Sequence, residues 1–160
     1  MFKRPKICLV HPEIPQNTGA IGRLAAATGC PLHLVKPLGF SLEDRYMRRA
    51  GLDYWPYLDL QVHENFEAML AIFPAKPSVA FFSTKAEKIY WDLPETELLI
   101  FGKETKGLPD DLREQYADHF YKIPMFHPKV RSLNLANSVS IVLYHQLELA
   151  HRAAKLEKPC

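Results

Sequence analysis

Apolar residues in this chain gather in short runs separated by amphipathic stretches, and that spacing predicts the elements. Residues 7–10 (ICLV), 32–35 (LHLV), 79–83 (VAFFS), 98–101 (LLIF) and 120–123 (FYKI) are runs of strand length. Residues 57–63 (YLDLQVH) alternate loosely and read as a further strand. After the Pro-rich HPEIPQNTG comes AIGRLAAATG, a helix closed by Gly29 with Ile21, Leu24, Ala25 and Thr28 on its buried stripe. At about 100° per residue, Arg23 lies about 200° round from Ile21 and points away from the sheet. Residues 42–50 predict a short helix capped by Ser41, and 64–73 an amphipathic helix ending before Pro74. Another helix is predicted over 109–116, with Pro109 suited to its first turn. The longest spans 133–155, with Leu135, Val139, Val142, Leu143, Leu147 and Ala150 on one stripe. Strands alternating with helices predict an α/β fold, a mainly parallel sheet flanked by helices, in one domain over residues 1–160.

Composition adds boundaries. A 48% hydrophobic and 24% charged chain is that of an ordinary globular protein. No apolar run is long enough to span a bilayer, and 7–10 is no signal-peptide core, so no membrane partner and a cytoplasmic location are expected. Cys8, Cys30 and Cys160 form no CxxC pair, which argues against structural zinc and a disulfide framework. The seven histidines show no metal-ligand spacing, and no G-x-S-x-G elbow marks a serine hydrolase. A net charge of +2 does not by itself indicate nucleic acid, so local charge must.

In a parallel sheet, ligands collect beyond the carboxyl ends of the strands. Three segments leave strands there: 82–85, 102–108 and 123–134. Gly102 and Gly107 bracket the middle one, but Leu108 and Pro109 stand where a triphosphate-binding loop needs Lys and Ser or Thr. Those glycines mark either a tight turn or a close backbone approach to a ligand. In the third segment, Ser132, Leu133 and Asn134 stand at the start of the last helix, where unpaired N–H groups can meet a ligand. Asn17, Gly19 and Gly22 form N-x-G-x-x-G with Glu43 about twenty residues on. This keeps a nicotinamide-dependent oxidoreductase open as an alternative, although two prolines separate it from its strand. Arg45, Arg48 and Arg49, interleaved with Tyr46, Tyr54 and Trp55, form either a patch for phosphates and bases or a solvated helix face with core aromatics. The first option leaves a non-catalytic RNA-binding module as a second alternative.

Three segments together, NTGAIGR (17–23), LLIFGKETKGLP (98–109) and KIPMFHPKVRSLNLANSVSI (122–141), resemble the three motifs of the SPOUT-class RNA 2′-O-methyltransferases. RRAGLDYW (48–55) is similar to the subfamily that methylates the wobble nucleotide of leucine tRNAs. The resemblance spans about residues 7–146. It implies a trefoil knot over about 79–150, no added RNA-binding domain, and a homodimer with its site near the subunit interface. It also implies S-adenosylmethionine as cofactor, S-adenosylhomocysteine as product, no metal, and the tRNA anticodon stem-loop as partner. Cytidine or 5-carboxymethylaminomethyluridine would be the target nucleotide. Phe82, Gly102, Ile123 and Ser132 match cofactor-contacting positions, with Gly107, Met125, Leu133 and Asn134 in the same loops. Asn17 and Arg23 match the polar residues of the first motif, which face the substrate and the transferred methyl. Arg45, Arg48, Arg49, Tyr54 and Trp55 are the RNA-binding candidates. Ala20 stands where the family usually has Asn.

The residues suit that chemistry. Methyl transfer to a ribose hydroxyl needs a bound sulfonium, an in-line 2′-oxygen and a destination for the hydroxyl proton. Arg23 stays protonated and makes a poor base, so positioning, charge stabilisation or a phosphate-mediated base is the role it can fill.

Overall fold

The computed structural model describes residues 4–43 and 53–156. The helix expected over 42–50, and with it Arg45, Arg48 and Arg49, lies mostly or wholly outside them, as does Cys160. Among the described residues the strands are β1 (Lys6–Val10), β2 (Leu32–Val35), β3 (Leu60–His63), β4 (Val79–Phe82), β5 (Lys88–Ile89), β6 (Leu98–Phe101) and β7 (Phe120–Lys122). The helices are α1 (Pro15–Thr28), α2 (Phe66–Leu70), α3 (Asp110–Gln115) and α4 (Leu135–Leu156). The strands form one sheet in the order β3-β2-β1-β6-β4-β7-β5, every pair parallel.

Period-2 alternation sorts the strand side chains between two helical layers. Ile7 and Leu9 of β1, Leu32 and Leu34 of β2, and Leu99 and Phe101 of β6 face α1 and α4, where Ile21, Ala25, Val139, Val142 and Leu143 cover them. Cys8, Val10, Val35, Phe81, Leu98 and Ile100 face α2 and α3, against Phe66, Met69 and Leu112. Continuous apolar strands are what a sheet covered on both faces requires.

Most element types match the pattern, with shifted ends. α1 starts at Pro15, not Ala20, because Pro at the first helical position needs no N–H partner. Gly29 ends it in the left-handed conformation, φ 65°. The expected strand over 57–63 is shorter, since Trp55–Tyr57 forms a 3₁₀ turn first. α2 is only five residues long and is capped by Asn65, whose side chain accepts from the Ala68 N–H at 2.8 Å. The two-residue β5 carried no readable signal, for its Lys-Ile pair has no periodicity.

Between β2 and β3, His33 Nδ1 lies 3.0 Å from His63 Nε2. His33 is 1% exposed, and burial together with the nearby His63 and Lys6 lowers its pKa from 6.5 to about 4, against an opposing pull from Asp59. Burial lowers His63 as well. A depressed histidine binds fewer protons folded than unfolded, so its stabilising contribution is full above pH 6.5 and is lost as pH falls toward 4. Urea unfolding of the wild type at pH 7.0 and 4.5 is expected to include a loss on the order of 2 kcal/mol from this site. His33→Gln should remove most of that increment. An identical pH dependence in the variant would contradict the assignment.

Candidate functional site

Every strand runs the same way, so the loops after β1, β4, β6 and β7 emerge on one edge of the sheet. They enclose a cleft of about 1090 Å³. The loop after β6 folds back on itself: Lys103 and Gly107 form an antiparallel bridge, and the Gly107 N–H donates to the Lys103 carbonyl at 3.0 Å. A Cβ on Gly102 would overlap the Gly107 carbonyl carbon and the Leu108 nitrogen. Gly107 itself is at φ 68°. Both glycines are therefore required by the turn itself, and the folded loop then presents its backbone to the cleft.

A reciprocal clasp ties this loop to the start of α1, which has no side-chain cap of its own. The Glu104 carboxylate accepts from the Glu13 N–H at 2.8 Å, the Ile14 N–H at 3.0 Å and Asn17 Nδ2 at 3.3 Å. Its charge also complements the positive end of the helix. In return, the Glu13 carboxylate accepts from the Thr105 hydroxyl at 2.8 Å and N–H at 3.3 Å, with Lys103 Nζ at 3.7 Å. The Thr105 hydroxyl first, with Lys103 assisting, holds the Glu13 carboxyl below its ordinary value. That half of the clasp is thus complete above the ordinary carboxylate range and is lost as pH falls through the lowered value.

Asn17 extends the clasp to the third loop. It is 8% exposed, and its Oδ1 accepts from Asn134 Nδ2 at 3.0 Å. Asn134 also begins α4, its Oδ1 accepting from the Asn137 N–H at 3.2 Å. One amide thus links the entry to α1, the loop after β6 and the start of α4. Between residues 124 and 133 the described chain makes one backbone–backbone hydrogen bond, Val130 N–H to the His127 carbonyl. The Lys129 N–H donates to His127 Nδ1 at 3.3 Å, and other polar backbone groups of that loop can meet solvent or ligand.

Of the residues selected from sequence, Asn17, Phe82, Gly102, Gly107, Ile123, Met125, Ser132, Leu133 and Asn134 all line the cleft. Phe82 stacks on Phe101 with centroids 4.7 Å apart. Arg23 does not line it. It lies on the outer side of α1, beside Asp53 at 3.4 Å and 5.3 Å from the Tyr54 ring centroid. Tyr54 is 8% exposed and its hydroxyl donates to the Gly19 carbonyl at 2.8 Å, so its ring is not available to stack a base. Trp55 is half-buried beside it. Asn17, expected to face the substrate, has both ends of its amide engaged within the chain.

Glu13, Glu104, Thr105 and His11 escaped the sequence reading. The signal for Glu104 was an acid inside a glycine-bracketed loop. His11 carried none, since its φ of 56° and its place on the cleft wall come from the turn into Pro12. Burial first, then Lys103, lowers the His11 pKa, while Asp111 opposes them.

The dinucleotide alternative fails on geometry. Asn17, Gly19 and Gly22 are inside α1, and the entry to that helix already carries the Glu104 carboxylate where a pyrophosphate would sit. Among the described residues no group of three or more His, Cys, Asp or Glu side chains could hold a metal, and no helix is long and apolar enough to cross a membrane.

Residues 4–144 match the model of the SpoU rRNA Methylase family, and the chain belongs to that family. It is 49% identical over 141 residues to a tRNA (cytidine(34)-2′-O)-methyltransferase of Methylovorus glucosotrophus, covering 86% of this chain and 90% of that one. A structure solved for insight into the 2-OH methylation of C/U34 on tRNA superposes with a TM-score of 0.88 at 41% identity, covering 95% and 99% of the two chains. An AdoMet-bound rRNA methyltransferase from Sinorhizobium meliloti shares the fold, with a TM-score of 0.79 at 23% identity over 96% of this chain and 57% of that one.

Glu104→Ala strips the acceptor from two backbone N–H groups and one amide. Urea unfolding should show a loss of about 1–3 kcal/mol, and calorimetry a weaker affinity for S-adenosylhomocysteine. A stability change under about 0.5 kcal/mol with unchanged affinity would mean that the clasp holds nothing together.

Proposed function

We propose that this protein transfers a methyl group from S-adenosylmethionine to the ribose 2′-hydroxyl of the wobble nucleotide, cytidine or 5-carboxymethylaminomethyluridine, of leucine tRNAs. It does so as a cytoplasmic homodimer of a single catalytic domain, with residues 79–150 threaded as a trefoil knot. The observation that carries the reading is the convergence of three sequence-distant loops on one cleft through Asn17, Glu104 and Asn134. Relatives named for 2′-O methylation of nucleotide 34 of tRNA, at over 40% identity and matched over nearly their whole length, support the wobble ribose as the target.

The cleft fits the cofactor. Its volume is at the upper end of small-molecule sites. Phe82, Ile123, Met125 and Leu133 offer apolar walls for an adenine and an aliphatic chain. The backbone at Gly102 and in the 124–133 loop offers donors and acceptors, and Ser132 adds a hydroxyl to the lining. When bound, S-adenosylmethionine supplies an electrophilic methyl group on a sulfonium.

The rest falls to this chain's own residues. Lys85, Lys106, Arg113 and Arg131 line the same cleft against Asp110, while Lys103 and Glu104 are already spent on the clasp. That imbalance suits the phosphates of an RNA loop. Arg23 points away from its own chain's cleft, so in the dimer it serves the site of the second copy. There its fixed charge holds the phosphate beside the target ribose and offsets the negative charge that grows on the 2′-oxygen. A phosphate oxygen or solvent accepts the hydroxyl proton. The exposed Ile141 and Tyr144 on α4 are the residues from which the subunit contact is built.

Incubating the protein with S-adenosylmethionine and tRNA from a strain lacking it, followed by nucleoside mass spectrometry, should yield 2′-O-methylated wobble nucleotides. Arg23→Ala should reduce turnover by about a hundredfold. Methyl on a base, or no methyl at all, would refute the assignment.

A further inference from the structure

Arg23 is a flexible side chain on the exposed surface of α1, and a long flexible cation is a poor instrument for placing a phosphate unless something holds it. The structure contains a holder. The Tyr54 ring lies under the guanidinium, with Arg23 Cζ 5.3 Å from its centroid, and Arg23 Nη2 reaches Asp53 Oδ1 at 3.4 Å. Tyr54 in turn is fixed to the helix that carries Arg23. Its buried hydroxyl donates to the Gly19 carbonyl at 2.8 Å, one turn before Arg23. Burial pushes this phenol above its ordinary value, so the donating proton stays in place. The ring also packs closely on α1: a Cβ on Gly22 would lie in ordinary van der Waals contact, 3.4 Å, with both Tyr54 Cε2 and Leu58 Cδ2.

The two contacts differ in worth. Arg23 and Asp53 have side-chain exposures of 53% and 78%, so water screens their ion pair and it contributes little. The ring is 8% exposed and anchored at its far end, so it is the rigid part of the pair. A residue that sequence composition suggested for stacking a base is instead committed to the chain's own arginine.

We propose that Tyr54, assisted by Asp53, is a positioning residue for Arg23 in methyl transfer, holding the guanidinium at a fixed place above α1. This rests on the reading that Arg23 acts in the reaction. Tyr54 touches neither cofactor nor substrate. Its loss therefore lowers kcat through Arg23 while leaving cofactor affinity alone. The ring matters more than the hydroxyl, and both matter more than Asp53.

The test is a double-mutant cycle read by steady-state kinetics on tRNA, with S-adenosylhomocysteine affinity measured alongside by calorimetry. Tyr54→Leu should lower kcat about tenfold or more with affinity within about twofold of wild type. Tyr54→Phe should restore kcat to within about threefold, and Asp53→Asn should stay within the same range. In an Arg23→Ala background, Tyr54→Leu should cost nothing further. If Tyr54→Leu melts below the assay temperature, Tyr54→Met takes its place, since its longer flexible chain fills more of the ring's space and offers the guanidinium no aromatic face. A several-fold loss of kcat is expected, again absent when Arg23 is already Ala. Wild-type kcat in Tyr54→Leu, or in Tyr54→Met where that replaces it, overturns the proposal alone if Arg23→Ala is impaired, and so does a loss that multiplies with that of Arg23→Ala. Full turnover by Arg23→Ala removes Arg23 from the reaction, and the proposal with it.

Discussion

Two carboxylates exchanged between neighbouring loops hold this site together. Glu104 binds the backbone entering α1, and Glu13 from that entry binds Thr105 in the loop Glu104 came from. The exchange closes over about ninety residues of chain, so neither loop can move without the other. Neutral partners would satisfy the same N–H groups. A carboxylate adds a charge-assisted bond at the positive end of a helix, which is stronger and shorter. Asn17 then couples the pair to Asn134 and hence to α4, so the three loops around the cleft share one hydrogen-bonded centre.

The parallel sheet makes that arrangement possible. With β1, β6, β4 and β7 adjacent and pointing the same way, their carboxyl ends deliver four loops to one edge. The sequence pattern carried this much, because a strand covered on both faces is apolar nearly throughout, as residues 7–10, 79–82 and 98–101 are. Hydrophobic runs report burial, and burial here follows the architecture closely.

They do not report which polar side chain meets which. Nothing in the spacing of Glu13, Asn17, Glu104 and Asn134 signals their contacts, since the pairs are far apart in sequence and each residue looks like ordinary surface. Tyr54 shows the same gap from the other side. Among arginines and a tryptophan it has the composition of a base-stacking platform, yet it docks on α1 with its hydroxyl on the Gly19 carbonyl. The glycine bracket of 102–107 was legible as a constraint. Its cause, one part of the loop packing on another, needed coordinates.

The proposed division of labour places the cofactor inside a clasped cleft and the arginine on the outer surface, so that a second copy completes the site. Diffraction from crystals grown with S-adenosylhomocysteine tests this most directly. The account predicts the nucleoside between Phe82, Gly102, Ile123 and Leu133, the Glu104 carboxylate still on the Glu13 and Ile14 N–H groups, and Arg23 of a second copy facing the mouth of the cleft. A ligand bound at the start of α1 in place of Glu104, or a cleft closed by its own chain with no second copy near it, would contradict the account.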